Sequence, residues 1–196
     1  MIRKGKILEL GAGQGWASCL YKRLYNESEV IVTDINEHAL KCIYEWERLY
    51  SVKADKVYAC KSYKTKEPDN SIDQVFCFAA AHHFIKQEET LKEISRILKK
   101  GGKAFYFHEP VTPRIFYKPI HAYVNRNMNG KPHEDVLITK DIKKYARKYG
   151  LVPFVDLNPS LVKRKPFATV YFAILKKIPL FRKVLPASAV FYFKKL

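Results

Sequence analysis

Two groups of residues in this 196-residue chain have types and spacings that could do chemistry. The first is a glycine-rich turn, Gly11-Ala12-Gly13-Gln14-Gly15, which follows the apolar run Ile7-Leu8-Glu9-Leu10. Glycines at alternate positions remove side chains where the backbone turns tightly and where a ligand would lie against it. Glu9 sits inside the preceding run, and Asp34 closes the next one, Val30-Ile31-Val32-Thr33. An acid about 20 residues past such a turn suits a nucleotide-type ligand, whose ribose hydroxyls need a carboxylate acceptor. The second group is His82, His83, His108 and Glu109, just beyond two further apolar runs. Histidine is the side chain best poised to take a proton near neutrality.

The elements that must position these residues alternate. Lys6–Leu10, Val30–Asp34, Val57–Cys60, Asp73–Ala80 and Lys103–His108 read as strands. Trp16–Tyr25, Glu37–Tyr50 and Gln87–Lys99 read as helices, the last with Leu91, Ile94, Ile97 and Leu98 on one face and Gly101-Gly102 as its cap. This β-α alternation predicts an α/β domain with a doubly wound, mostly parallel sheet and helices on both faces. Ligands of such sheets sit at the carboxyl ends of the strands, where both groups fall. Beyond His108 the pattern changes. Glu109–Lys118, with three prolines in and just after it, predicts a loop, Ile120–Met128 a short helix, and Thr139–Tyr149 a helix capped by Thr139 and stopped by Gly150. Leu151–Leu157 and Ala168–Leu175 read as two more strands. The tail Lys176–Leu196 alternates basic pairs with large apolar residues, which fits either a core segment or a membrane-surface element.

Length sets one domain over residues 1–196, with a cofactor-side half to residue 108 and a substrate-side half from 109 that ends in the basic aromatic tail. The apolar runs are shorter than a bilayer span, and the first residues lack the apolar stretch of a signal peptide. Cys19, Cys42, Cys60 and Cys77 are scattered without metal-ligand spacing, so reduced thiols, no metal site and a cytoplasmic location are expected. The net charge is +17, and residues 140–196 carry about +12 of it. Such a surface suits an anionic partner or is simply a solvated basic face.

With these motifs in place the chain resembles the class I S-adenosylmethionine-dependent methyltransferases, of the type built on the Methyltransferase-11 domain. The resemblance rests on Leu8–Gly15, on Val32-Thr33-Asp34-Ile35-Asn36, on Pro68–Val75 followed by Ala81-His82-His83-Phe84, and on Leu91–Gly102. It covers residues 6–108. It implies a Rossmann-like seven-stranded sheet with an antiparallel last strand and S-adenosylmethionine as cofactor. Gly11, Ala12, Gly13, Gly15 and Ala79 would approach the cofactor, and Glu9 would order the turn or face the cofactor's amino group. Asp34 would bind the ribose or else cap the following helix, and Ile35 would pack on the adenine. The family often has an acid after the third strand, whereas this chain has Cys60-Lys61-Ser62-Tyr63, so Ser62 or a backbone carbonyl takes the adenine contact. The first strand begins within six residues of the start, so either the site is open or the chain is short at its N-terminus.

His82 and His83 are candidate bases or else orient their loop. His108 and Glu109 bind or deprotonate the acceptor, or form a satisfied pair at the sheet end. Arg126, Asn127, His133, Glu134 and Asp135 line the acceptor pocket or a solvated loop, while Trp16 and Tyr21 read as helix packing. The expected function is methyl transfer to a small-molecule, lipid-linked or glycoconjugate acceptor at oxygen, with peripheral contact to an anionic membrane. The alternatives are an RNA methyltransferase using the basic C-terminal face, and a non-catalytic S-adenosylmethionine-binding partner protein.

Overall fold

The computed structural model describes residues 4–126, 135–157 and 166–196. In chain order its elements are β1 (Lys6–Leu10), α1 (Trp16–Leu24), β2 (Glu29–Asp34), α2 (Glu37–Leu40), α3 (Ile43–Tyr50), β3 (Lys56–Ala59) and β4 (Ile72–Phe78). A 3-10 turn at Ala81–His83 leads into α4 (Gln87–Ile97), β5 (Leu98–Thr112) and α5 (Arg114–Asn125). The chain then runs through β6 (Leu137–Ile138), α6 (Thr139–Lys148), β7 (Leu151–Leu157), α7 (Pro166–Lys177), α8 (Pro179–Val184) and β8 (Ala187–Lys195).

One sheet has the order β3-β2-β1-β4-β5-β8-β7, with β6 beside the far end of β5. The pairs of the first five strands are parallel, and β8 runs antiparallel to both β5 and β7. This is the doubly wound, mostly parallel sheet with an antiparallel last strand that the motifs imply. Period-2 alternation divides the strands between two cores. Leu8, Val75, Cys77 and Tyr106 face α4 and α6, while Ile7, Phe76, Phe105 and Phe107 face α1 and α3.

Several expected boundaries move. The helix predicted over Glu37–Tyr50 breaks at Lys41-Cys42, where an i to i+3 bond from Cys42 N–H to the Ala39 carbonyl tightens the turn. The break lets Ile43 pack over Gly15. Gly101 does not cap α4, which ends at Ile97; it lies at φ +77 in a turn within β5. The predicted loop Glu109–Lys118 is instead the end of β5 followed by α5, which starts after Pro113 because its fixed φ suits a helix start. Thr139 is the first helical residue of α6 rather than its cap.

The tail differs most. Ala168–Leu175 is helical, part of α7, and the final strand is Ala187–Lys195. Ala189, Phe191 and Phe193 fill one core, and Tyr192 stacks on Phe105 and Phe154 on the other face of the sheet. A strand flanked on both sides is apolar on both faces, which is why its alternation is weak in sequence. Lys195 reaches the C-terminal end of α4, donating to the carbonyls of Ser95 (2.6 Å) and Leu98 (2.7 Å). That placement removes residues 187–195 from the membrane-surface alternative.

Candidate active site

The carboxyl ends of β1, β2 and β4 meet at the glycine turn. Gly11 and Gly13 have φ of +68 and +56, a backbone region costly for residues with a Cβ. At Gly11 a Cβ would stand 2.9 Å from Ala80 Cβ and 3.1 Å from the Phe84 ring, so the turn lies directly against the loop after β4. At Gly13 a Cβ would meet nothing within 4 Å. The one glycine is required by packing; the other borders open space above the turn.

Asp34 secures this turn from β2. One carboxylate oxygen accepts from Gly13 N–H at 2.7 Å and the other from Asn36 N–H at 2.7 Å. Asn36, not Asp34, caps α2, its side chain accepting from the N–H groups of His38 and Ala39. Each Asp34 oxygen keeps a second lone pair for a ligand hydroxyl. The neighbouring Ile35 is 68% exposed at the strand end, an apolar surface available to a flat ring. Glu9 is buried beneath the turn and accepts from Ser18 N–H at 3.1 Å and from the Ser18 hydroxyl. Burial pushes its pKa up to about 8, against the lowering by the Ser18 bonds. An open space beside Gly13, a ribose-compatible acid at Asp34 and an exposed apolar side chain at Ile35 fit the methionine, ribose and adenine parts of S-adenosylmethionine. Gly11, Gly13, Asp34 and Ile35 would hold it, and when bound it supplies a methyl group on an activated sulfonium. Ser62 lies three residues past β3, and its hydroxyl bonds the Thr90 hydroxyl at 2.8 Å.

A second arrangement occupies the ends of β4 and β5. Two non-glycine residues there take left-handed backbone, Ala79 (φ +47) and His108 (φ +61). His108 interrupts the β5–β8 register between Tyr106 and Glu109. The bulge shifts the alternation by one residue and turns the Glu109 carboxylate onto the same face as Tyr106. There Glu109 is fully buried and accepts from the N–H groups of Ala80 (3.0 Å), Ala81 (2.9 Å) and His82 (3.1 Å). It also holds His82 Nδ1 at 2.8 Å. The strand-end pair is therefore Glu109 with His82, not with His108. His108 stacks on Phe78 at 5.9 Å, and Phe78 meets Trp16 edge-on at 5.1 Å, so Trp16 belongs to an aromatic row at the strand ends as well as to α1. His83 lies against His82, ring centroids 4.0 Å apart.

Of the loop cluster, Arg126 stacks on Tyr123 and Asp135 accepts from the Tyr117 hydroxyl at 3.0 Å. Asn127, His133 and Glu134 lie outside the described residues. Sequence reasoning missed Ser18 and Phe78. Ser18 carries a local signal, a small polar residue at the third position of a helix facing the strand that bears Glu9. Phe78 carries none, since it reads as one more residue of an apolar run.

A family model described as a methyltransferase domain matches residues 8–106, half of the chain. A ubiquinone/menaquinone biosynthesis C-methyltransferase, UbiE of Neisseria meningitidis, is 28% identical over 155 residues, covering 74% of this chain and 58% of the relative. The chain spans about half the length of the curated relatives it matches. Among solved structures, YcgJ of Bacillus subtilis superposes with a TM-score of 0.69 at 16% identity, covering 98% of this chain and 92% of that one. Geranyl diphosphate C-methyltransferase of Streptomyces coelicolor, crystallised with geranyl diphosphate and S-adenosyl-L-homocysteine, gives 0.75 at 12% identity, covering 97% and 72%. With the glycine turn, the two acids and the strand order already in place, the match over residues 8–106 shows that this chain belongs to the S-adenosylmethionine-dependent methyltransferase family.

Proposed function

We propose that the chain transfers a methyl group from S-adenosylmethionine to an oxygen of a small-molecule, lipid-linked or glycoconjugate acceptor, with His82 as the base and Glu109 as its positioning residue. One observation carries the reading. The loop that bears His82 packs on the glycine turn through Ala80 and Phe84, so the base and the donor site form one unit. Methyl transfer is an in-line displacement in which alignment supplies most of the catalysis. A carboxylate bonded to Nδ1 orients the ring and favours the tautomer with its lone pair on Nε2. UbiE and geranyl diphosphate C-methyltransferase are both named for transfer to carbon, so the position of the methyl group is part of the test. Incubation with labelled donor and a lysate fractionated into lipid, RNA, protein and small molecules reads the acceptor class directly. Label in a lipid or small molecule, on oxygen by NMR, is the expected result. Label in RNA overturns the acceptor class, a methyl group on carbon overturns the oxygen assignment, and donor binding without any transfer overturns catalysis.

A peripheral position at an anionic membrane is the second part of the reading. Val170, Ile174, Ile178, Leu180, Phe181 and Val184 of the α7–α8 region are exposed and interleaved with Lys176, Lys177 and Lys183. The sequence has no acid after Asp156 to oppose them. Exposed aliphatic side chains flanked by lysines suit the interface of an anionic bilayer. Among the described residues no helix is long and apolar enough to cross a membrane. Sedimentation with vesicles containing phosphatidylglycerol, and none with phosphatidylcholine alone, is expected. Equal recovery from the two overturns the assignment.

A further inference from the structure

Beyond the His82 site, the end of β5 opens into a cavity of about 500 Å3. Its walls are the last residues of β5, the first turns of α5 and α6, the end of β7, and α8. The floor is apolar, with Val111, Ile138 and Leu157. The rim is cationic, with Arg114, Lys140, Lys143, Arg182 and Lys183, and among the described residues no acid lines it.

These five cations are not equivalent. Arg114 pairs with Asp141, the acid on the first turn of α6. Arg182 donates to the carbonyls of Leu175 and Lys176 at the end of α7, both at 2.6 Å. Lys140, Lys143 and Lys183 have no carboxylate partner among the described residues. Three ammonium groups around one concavity repel one another, and low-dielectric walls concentrate their field. A bound anion relieves that repulsion, and a phosphoryl group offers three acceptor oxygens for such donors. The α6 helix also begins at this wall without a side-chain cap, and the acid of its first turn, Asp141, is engaged by Arg114.

The cavity also has a definite position relative to the proposed base. Val111 lies two residues beyond Glu109 on the same strand and the same buried face, about 7 Å along β5. The apolar floor at Val111 is thus one side-chain step along β5 from Glu109, the residue that holds His82. Ile115 at the mouth is 80% exposed, and with the apolar floor it offers surface to adjoining hydrocarbon.

We propose that this cavity is a subsite for a phosphoryl group, and that it anchors a phosphorylated acceptor by Lys140, Lys143 and Lys183. Its assignment to the acceptor rests on the methyl-transfer reading above; the phosphoryl site itself does not. The test uses the full chain and inorganic pyrophosphate, titrated by calorimetry at low salt. Saturable binding is expected, weakened by about 10-fold or more in K140A/K143A. The paired substitution K41A/K53A, at exposed lysines elsewhere, is expected to leave the affinity unchanged. Thermal midpoints report whether each variant folds. Absence of saturation, or equal affinity in wild type and K140A/K143A, overturns the subsite. S-adenosylmethionine titration of the same samples separates the two ideas. Donor binding without pyrophosphate binding removes the subsite alone, while pyrophosphate binding without donor binding removes the methyl-transfer reading alone. Vesicles containing phosphatidate identify the source of the phosphoryl group. Release of the protein from them by pyrophosphate supports a lipid headgroup, and pyrophosphate binding without vesicle recruitment supports a soluble phosphate; either supports the chemistry.

Discussion

Asp34 at the end of β2 accepts a 2.7 Å hydrogen bond from the backbone N–H of Gly13, so the acid that would meet the ribose also holds the turn that would meet the rest of the donor. The two functions are coupled through one carboxylate. Asp34→Ala removes both, and donor affinity is expected to fall roughly 10- to 100-fold by calorimetry. Undiminished affinity would exclude this carboxylate from the donor site.

The glycines of the turn separate stability from binding. Gly11→Ala forces a Cβ to 2.9 Å from Ala80 in a left-handed conformation, so both the thermal midpoint and donor affinity should drop. Gly13→Ala meets no protein atom within 4 Å. It should cost about 1 kcal/mol in stability from backbone conformation alone. Its Cβ enters the open space above the turn, so donor affinity should fall further than stability does. Equal effects of the two substitutions on folding would contradict this division.

Glu9 gives a pH dependence with a defined sign. Its folded pKa, about 8, lies above the ordinary glutamate value of 4.5 because burial disfavours the carboxylate. The folded state therefore binds more protons than the unfolded state between pH 4.5 and 8. The contribution of Glu9 to stability is fully present below pH 4.5 and is lost as pH rises through 8. Glu9→Gln mimics the protonated form. Its thermal midpoint should exceed that of wild type at pH 8 by about 2 °C or more, with the difference vanishing near pH 4. A constant offset across that range would show that Glu9 does not titrate in the window.

Glu109 satisfies three backbone N–H groups and the His82 ring from a fully buried position. Glu109→Ala leaves all four without their acceptor, and a loss of about 3–5 kcal/mol in chemical denaturation is expected. Glu109→Gln keeps the volume but one carbonyl oxygen in place of two. It should lower kcat and shift the pH profile of methyl transfer while changing donor affinity by less than about threefold. A variant with unchanged kcat and pH profile would reduce Glu109 to a purely structural residue.

The last ten residues should be indispensable for folding. β8 pairs with β5 on one side and β7 on the other, and Phe191 and Phe193 are fully buried. Truncation after Pro186 exposes two strand edges and opens the larger core. Loss of the cooperative thermal transition is the expected outcome; a soluble, cooperatively folding truncation would contradict the central role of β8.

How much of this was legible depends on how local the cause is. β1, β2 and β7 carry short-range patterns that the sequence displays, and β7 falls on the residues the pattern predicts. The tail differs from its expected strand because Ala168–Leu175 and Ala187–Lys195 are both apolar and short, and period alone does not separate a buried strand from a helix. Sheet order decides between them, and it depends on β5 and β7, distant in the chain. The pairing of Glu109 with His82 was also hidden. It depends on the bulge at His108, which inverts which side chain faces inward, and no residue type marks that bulge.

Glycines at alternate positions, an acid within β1 and an acid closing β2 can be read from the chain alone, because backbone sterics and strand periodicity act over a few residues. The arrangement past β4 cannot, because it is made by contacts between distant segments. The orientation of Glu109, the burial of β8 and the gathering of Lys140, Lys143 and Lys183 around one cavity all require segments far apart in the chain to meet, and their burial and field exist only once they do.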